Sequence, residues 1–455
     1  RRALPFRRAS RHAAVTTFDP GPSGLLDELR WRGMVHAASD GLEARLATGE
    51  SISGYNGFDP SGPSLHIGHL VPIFGLIHFQ RHGGRPIAVV GGGTGMIGDP
   101  SGRSSERNLL DPETLSANAS ALHAQLEHFL DFSGPRGAVM VNNLDWLASM
   151  SMIEFLRDIG KHFTVPYMLA KDSVQVRLDR GLSYTEFSYM LLQAVDYLHL
   201  HRTMGVELQM GGADQWGNIT AGLELIRRSS AGGSADGDGV SASESASAFA
   251  LAYPLLLNSS GAKFGKSAEG ESLWLDPERT SPFAFYQHWL NTDDRDVGVY
   301  LRWFTTMTPD EIEGLEAELA ARPGARAAQK ALALDITGRT HGSPLAQQMA
   351  DDSASLFAAE PISDPALLER LWLSVGGFSV DSASAGGLVT GVLAAAGVFA
   401  SNGEARRMIQ NGGLTINGDP VRDPSAVMPP PLAGTWWEVR IGKRRREIGR
   451  RIGRG

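Results

Sequence analysis

Residues 51–72 read SISGYNGFDPSGPSLHIGHLVP, and their reading decides the fold. Ser51 to Phe58 is a short extended stretch that stops at Asp59-Pro60. A helical segment then occupies about 66–82. Pro72 lacks an N–H and is tolerated only in a first turn, so the regular helix begins near Gly68. That sets His66 and His69 at its mouth.

Downstream, a second strand spans Pro86 to Val90, a helix lies near Ala117 to Phe132, and a third strand spans Ala138 to Asn142. Strands alternating with helices predict a parallel, doubly wound α/β sheet whose ligands bind at the carboxyl ends of the strands. Upstream, LLDELRWRGM from Leu25 is amphipathic at helical spacing. Beyond about residue 280 helices dominate. Thr308-Pro309-Asp310-Glu311 is a capping box, and Arg322-Pro323-Gly324 ends its helix. A last small unit has Ser401-Asn402-Gly403-Glu404 capping a helix, Leu414 to Asn417 as a strand, and Gly418-Asp419-Pro420 as a turn.

Two imidazoles three residues apart at a helix start share one face and point where backbone N–H groups favour an anion. A phosphate site is the favoured reading of His66 and His69. A pair of surface histidines or a pair of metal ligands are the alternatives, and no carboxylate completes a zinc-type HExxH set. Gly68 between them leaves room for a flat ligand.

Two glycine motifs resemble nucleotide loops and fail on inspection. Gly93-Thr94-Gly95-Met96-Ile97-Gly98 is a literal GxGxxG, but Asp99-Pro100-Ser101-Gly102 follows at once and no helix can start there. That excludes a dinucleotide-binding dehydrogenase. Gly261-Ala262-Lys263-Phe264-Gly265-Lys266-Ser267 is one residue short of a P-loop and sits too late in the chain.

Composition sets the outer limits. A chain of 455 residues, 42% hydrophobic and 20% charged, builds two or three globular domains. It has no cysteine, which removes disulfides, thiolate nucleophiles and cysteine-bound metals. No uncharged apolar run approaches the roughly 18–20 residues needed to cross a bilayer; Leu388 to Ala400 reads as a buried helix. The formal charge is −8, yet residues 1–14 carry five Arg and no acid, and the end from Arg440 is strongly basic. An acidic body with basic ends fits an enzyme that meets polyanions locally. The opening RRALPFRRASRHAAVTTF has the composition of an organellar transit peptide, for mitochondrion or chloroplast, with a solvated terminus of a bacterial-type cytoplasmic enzyme as the other reading. Residues 230–248 are a low-complexity Ser/Ala/Gly segment expected to form a surface insertion.

His66-Ile67-Gly68-His69 resembles the HIGH signature of class I aminoacyl-tRNA synthetases, and Lys263-Phe264-Gly265-Lys266-Ser267 resembles their mobile KMSKS loop. Tyr55 to Pro60, Gly98 to Gly102, Phe187 to Asp196 and Gly211 to Asn218 are similar, in order and spacing, to bacterial-type tyrosyl-tRNA synthetases, and the likeness runs from about Gly24 to Arg446. The resemblance implies a Rossmann-like catalytic domain over 21–280, a helical anticodon-side domain over 281–345, a linker over 346–385, a small α+β RNA-binding domain over 386–446, and a basic tail over 447–455. Residues 1–20 would be the targeting or disordered segment. It further implies tyrosine activation by ATP with Mg²⁺, transfer to tRNA(Tyr), a homodimer with Phe155 to Leu178 at its interface, and no bound metal or membrane.

By that resemblance His66, His69, Lys263, Lys266 and Ser267 are catalytic. Asp59, Gly68, His69, Gly212, Asp214 and Lys266 bind ATP, with Gly211 and Gln209 beside them. Tyr55 and Asp196 meet the phenol hydroxyl, while Asp99, Tyr189, Gln193 and Gln215 hold the rest of tyrosine. Arg406, Arg407, Arg422, Lys443 and Arg444 contact tRNA. The chemistry agrees: in-line attack on an α-phosphate needs positioning and cationic stabilisation, which two histidines and two loop lysines supply. Tyr189, Gln193 and Asp196 fall at i, i+4 and i+7, one face of a helix otherwise apolar, so they need partners. A buried pair that phenylalanine would leave unpaired rejects it, a discrimination for which this family is itself the familiar example. The rivals are a tryptophanyl-tRNA synthetase and a non-catalytic RNA-binding or splicing protein on the same fold. The loop departs from the class pattern at Phe264 and Gly265, and the end from Lys443 lacks the apolar alternation of a closing strand.

Overall fold

The computed structural model describes residues 24–453 apart from 100–109, 172–173, 176–180, 231–247, 260, 262–263, 265–271 and 443–444. The N-terminal segment, nearly all of the 230–248 insertion, and Lys263, Lys266, Ser267, Lys443 and Arg444 lie outside the described residues. The chain divides into two compact units, one ending at Leu275 but including Gly298–Glu313, the other holding Asp276–Val297 and Gly314–Gly455.

The first unit is built on a six-stranded sheet: β1 (Ala37–Ala38), β2 (Ser53–Phe58), β3 (Arg85–Val90), β4 (Val139–Asn142), β5 (Val206–Gly212) and β6 (Phe249–Tyr253). Their spatial order is β1-β6-β5-β2-β3-β4, all parallel except the β1–β6 pair. The sequence order reverses at β2, which lies between β5 and β3. That is the switch point of a doubly wound sheet, where ligands bind.

Alternation along β2 assigns its two faces. Tyr55 packs in one core cluster with Ile87, Val89, Ala194, Tyr197 and Leu225, so the helices Tyr184–Met204 and Trp216–Ser230 cover that face. Asn56 points the other way and donates to the Pro72 carbonyl of the helix Leu70–Arg81 at 3.2 Å. That helix sits close: a Cβ on Gly75 would come within 1.9 Å of the Tyr253 hydroxyl. Ser183 caps the Tyr184–Met204 helix by accepting from Glu186 N at 3.2 Å, and Gly205, at φ 65°, ends it in the left-handed region.

Glu28 ties three segments of this unit. Its carboxylate meets Arg32 at 2.7 Å and His82 at 2.5 Å, with His78 at 3.3 Å. Arg32, 1% exposed as a side chain, also donates to the Arg302, Thr305 and Met307 carbonyls. Burial pushes Glu28 up, but nearby His78, the hydrogen bond from His82 and the Arg32 charge together hold it well below the usual carboxylate range. Burial lowers His78 to about 3.

In the second unit, the helices Pro282–Leu290, Ala327–His341, Ser343–Phe357 and Pro365–Val375 precede a five-stranded sheet. Its strands are β7 (Phe378–Asp381), β8 (Leu414–Ile416), β9 (Asp419–Pro420), β10 (Trp436–Ile441) and β11 (Arg445–Ile452), in the order β7-β11-β10-β8-β9. The helices Val389–Ala395 and Asn402–Gln410 pack on one face through Val389, Leu393, Ala405 and Ile409 against Leu414, Trp437 and Val439. Ser401 and Glu404 make the expected capping bonds.

Two expectations are corrected here. Residues 346–385 are two helices and strand β7, not a linker. The basic tail expected from 447 is β11, which lies between β10, antiparallel, and β7, parallel. Its arginines conceal the alternation, although two of them, Arg446 and Arg450, are taken up by packing. The Arg446 Nε ion-pairs with Glu438 at 2.8 Å, with side-chain exposures of 4% and 1%. Arg450 lies over the rings of Trp372 and Trp436 at 5.0 and 5.6 Å. The remaining Arg446 N–H groups donate to the Ser355, Ala358 and Glu360 carbonyls at the end of the Ser343–Phe357 helix. Arg446 therefore joins this sheet to the helix before it and is withdrawn from nucleic acid.

Candidate active site

Among the described residues, His66, Asp99, Gly212 and Asp214 lie at or beyond the carboxyl ends of β2, β3 and β5, while Tyr55 lies within β2 and Tyr189, Gln193 and Asp196 on the helix Tyr184–Met204. His66 is extended, at φ −123° and ψ 170°, and opens a 3₁₀ turn, Ile67–His69, that leads into Leu70–Arg81. The two histidines cap this turn reciprocally: His66 Nδ1 accepts from Gly68 N at 3.0 Å, and His69 Nδ1 accepts from His66 N at 3.1 Å. Each Nδ1 is thereby an acceptor, which leaves Nε2–H as the outward donor on both rings. Their ring centroids are 4.0 Å apart. Burial, and then the neighbouring His66, lower His69 to about 3. Buried and neutral, His69 departs from the expectation of a positive field at this turn.

On the other face of β2, Tyr55 is 2% exposed, and its hydroxyl is buried without a hydrogen-bond partner among the described residues. Burial first, and the charge of Asp196 second, raise it well above its ordinary value, so it stays protonated. Asp196, 4% exposed, receives one donor on each oxygen: Trp146 Nε1–H on Oδ1 at 2.8 Å and Asn143 Nδ2–H on Oδ2 at 2.9 Å. Burial raises its carboxyl to about 7 against the opposing pull of those two bonds. Tyr55 therefore carries a buried O–H and Asp196 a buried carboxyl group whose charge it feels.

Sequence reasoning missed Asn143 and Trp146. They follow the end of β4, and only the rule that strand ends carry ligands could have drawn notice to NNLDW. Trp146 is further stacked on His199, at 4.4 Å and 13° between planes.

Asp99 and Gln215, distant in sequence, are joined by Gln215 Nε2 donating to Asp99 Oδ2 at 2.5 Å. Asn218 in turn donates to Gln215 Oε1 at 3.1 Å. Tyr189, Gln193 and Asp196 share the Tyr184–Met204 helix, with Tyr189 only 4% exposed. Gly212 ends β5 and Asp214 lies in the turn after it, where a Cβ on Gly212 would come 2.6 Å from the Asp214 carboxylate. Asp59 accepts from the Thr94 hydroxyl at 3.4 Å. Phe264, the departure from the class pattern, stacks on Phe304 at 5.0 Å and meets Tyr300 at 5.2 Å. In the second unit Arg406, Arg407 and Arg422 are exposed.

Comparison with known proteins agrees with this geometry. Residues 47–358 match the family described as tRNA synthetases class I (W and Y), and residues 391–427 match the S4 domain. The chain is 47% identical over 425 residues to a tyrosine–tRNA ligase of Anaeromyxobacter dehalogenans, covering 92% of this chain and 97% of that protein. It is 45% identical over 427 residues to that of Geobacillus stearothermophilus, covering 92% and 98%. Among solved structures, a C-terminally truncated mitochondrial tyrosyl-tRNA synthetase from Aspergillus nidulans superimposes with a TM-score of 0.65 at 29% identity, covering 73% of this chain and 94% of that one. The chain thus belongs to the class I aminoacyl-tRNA synthetases of the tryptophan and tyrosine branch. Within that branch its family is tyrosine–tRNA ligase.

Proposed function

We propose that the chain activates L-tyrosine with ATP and passes the tyrosyl group to tRNA(Tyr), and that the residues assembled above divide the work. The observation that carries this reading is the buried Tyr55 hydroxyl beside Asp196, without a hydrogen-bond partner among the described residues. Tyr55 O–H donates to the substrate phenol oxygen, and the substrate O–H donates to Asp196. Asp99, fixed by Gln215, takes the α-ammonium with Tyr189 and Gln193. The substrate carboxylate attacks the α-phosphorus in line; a C(O)O–P bond forms, the bond to the β-phosphate oxygen breaks, and pyrophosphate leaves with its Mg²⁺. The Nε2–H groups of His66 and His69 meet phosphate oxygens as charge shifts to them. Asp59, Gly68, Gly212 and Asp214 hold the nucleotide, and Lys263, Lys266 and Ser267 supply the remaining donors. Magnesium enters on the triphosphate as part of the substrate. Among the described residues no group of three or more His, Asp or Glu side chains could hold an ion.

Arg406, Arg407 and Arg422, with Lys443 and Arg444, meet tRNA phosphates. Met152, Ile153, Leu156 and Val165 are 48–73% exposed along one short stretch, which supports a homodimer interface there. The Arg-rich residues 1–14 support delivery to an organelle.

ATP/pyrophosphate exchange against each amino acid in turn tests the central claim. Exchange dependent on tyrosine is expected. Exchange with tryptophan alone, or with none, would overturn it.

A further inference from the structure

The glycine-rich turn after β3 is the one sequence motif that substrate chemistry leaves unclaimed, and the structure gives it a task. Thr94, 3% exposed, has a single hydroxyl hydrogen, and it goes to Asp59 Oδ1 at 3.4 Å. Its lone pair accepts from Asn143 Nδ2–H at 2.9 Å. Asn143, 1% exposed, spends its second amide hydrogen on Asp196 Oδ2 at 2.9 Å, while its own oxygen accepts from Gly93 N at 2.8 Å. Every polar atom of the Asn143 amide is engaged, so it cannot flip without burying unpaired groups. The chain Asp59, Thr94, Asn143, Asp196 thus has a fixed donor direction that keeps Asp196 an acceptor.

The glycines make room for it. A Cβ on Gly91 would lie 2.3 Å from Asp59 Oδ1 and 2.6 Å from Thr94 Oγ1, and one on Gly92 would lie 2.2 Å from Asn142 Oδ1. The turn is bare where polar side chains must reach its backbone, not where a pyrophosphate would lie.

We propose that the 91–98 turn is a scaffold for tyrosine selection, with Thr94 as the positioning residue that locks Asn143 and, through it, aims Asp196 at the incoming phenol. This rests on the tyrosine-activating reading and extends it to Thr94, which acts through Asn143.

The test is kcat/KM in ATP/pyrophosphate exchange for tyrosine and for phenylalanine, in the wild type, Thr94→Val and Thr94→Ser. Thr94→Val keeps the shape and removes the hydroxyl. Tyrosine kcat/KM should fall about tenfold, the worth of one net hydrogen bond. Phenylalanine makes no phenol contact, so its kcat/KM should stay within about twofold. Thr94→Ser should restore tyrosine. General damage lowers both substrates together; that result, or unchanged tyrosine kinetics in a folded Thr94→Val protein, overturns the proposal. If Thr94→Val does not fold, Thr94→Ala, which removes the same hydroxyl, must show the same tyrosine-confined loss or the proposal fails. A wild type without tyrosine-dependent exchange defeats the functional reading itself, a distinguishable outcome.

Discussion

Trp146 donates its indole N–H to Asp196 at 2.8 Å, and the donor comes from a short helix after β4 while the acceptor sits mid-way along a 21-residue helix. Two elements far apart in sequence therefore fix one carboxylate.

Trp146→Phe should keep the stack on His199 but remove that donor. Tyrosine KM is expected to rise about tenfold with little change in KM for ATP, because one charge-assisted bond is lost at the phenol end only. Steady-state exchange kinetics with each substrate varied will check it.

The raised carboxyl of Asp196 predicts a pH dependence with a definite sign. The ionised form accepts the substrate hydroxyl, and protonation grows as pH drops past about 7. Tyrosine KM should therefore rise toward acid, and Asp196→Asn should flatten the profile at lower activity. Because the folded-state value exceeds the unfolded one, the same group costs the free protein stability as pH rises from 3.8 toward 7.

The Glu28 cluster predicts acid sensitivity. The Glu28 carboxylate is depressed by folding, so its contribution is present above its unfolded value of 4.5 and fades as pH falls below it. His78, held neutral down to about 3 against 6.5 when unfolded, adds loss in the same direction across that window. Melting temperature should fall steadily from pH 6.5 to 3. In Glu28→Gln the protein should start lower at neutral pH and fall less steeply.

Arg446→Met should leave tyrosine–adenylate formation intact and impair tRNA charging. Removing one partner of a buried ion pair costs about 3–5 kcal/mol, borne here by the C-terminal sheet, which holds no adenylate-forming residue. Pyrophosphate exchange and aminoacylation assayed side by side will separate the two steps.

The strand-to-helix turn at Tyr55 to Pro72, the alternation of strands and helices in the first unit and the caps at Thr308 and Ser401 follow local chemistry, and each was legible in the sequence. What was not legible depends on distant partners. Asn143, Trp146 and Thr94 carry no local pattern, since their purpose exists only when β3, β4 and the Tyr184–Met204 helix meet. His69 reads as a cation until burial makes it neutral. β11 reads as a charged tail because Glu438, which pairs with Arg446, and Trp372 and Trp436, which lie under Arg450, are elsewhere in the chain.

Because Phe378 pairs with Gly449, about 70 residues later, β7 has no neighbour until the last strand is laid in place. A chain cut after Gly442 would keep the helices and hairpin of the RNA-binding module and lose its keystone.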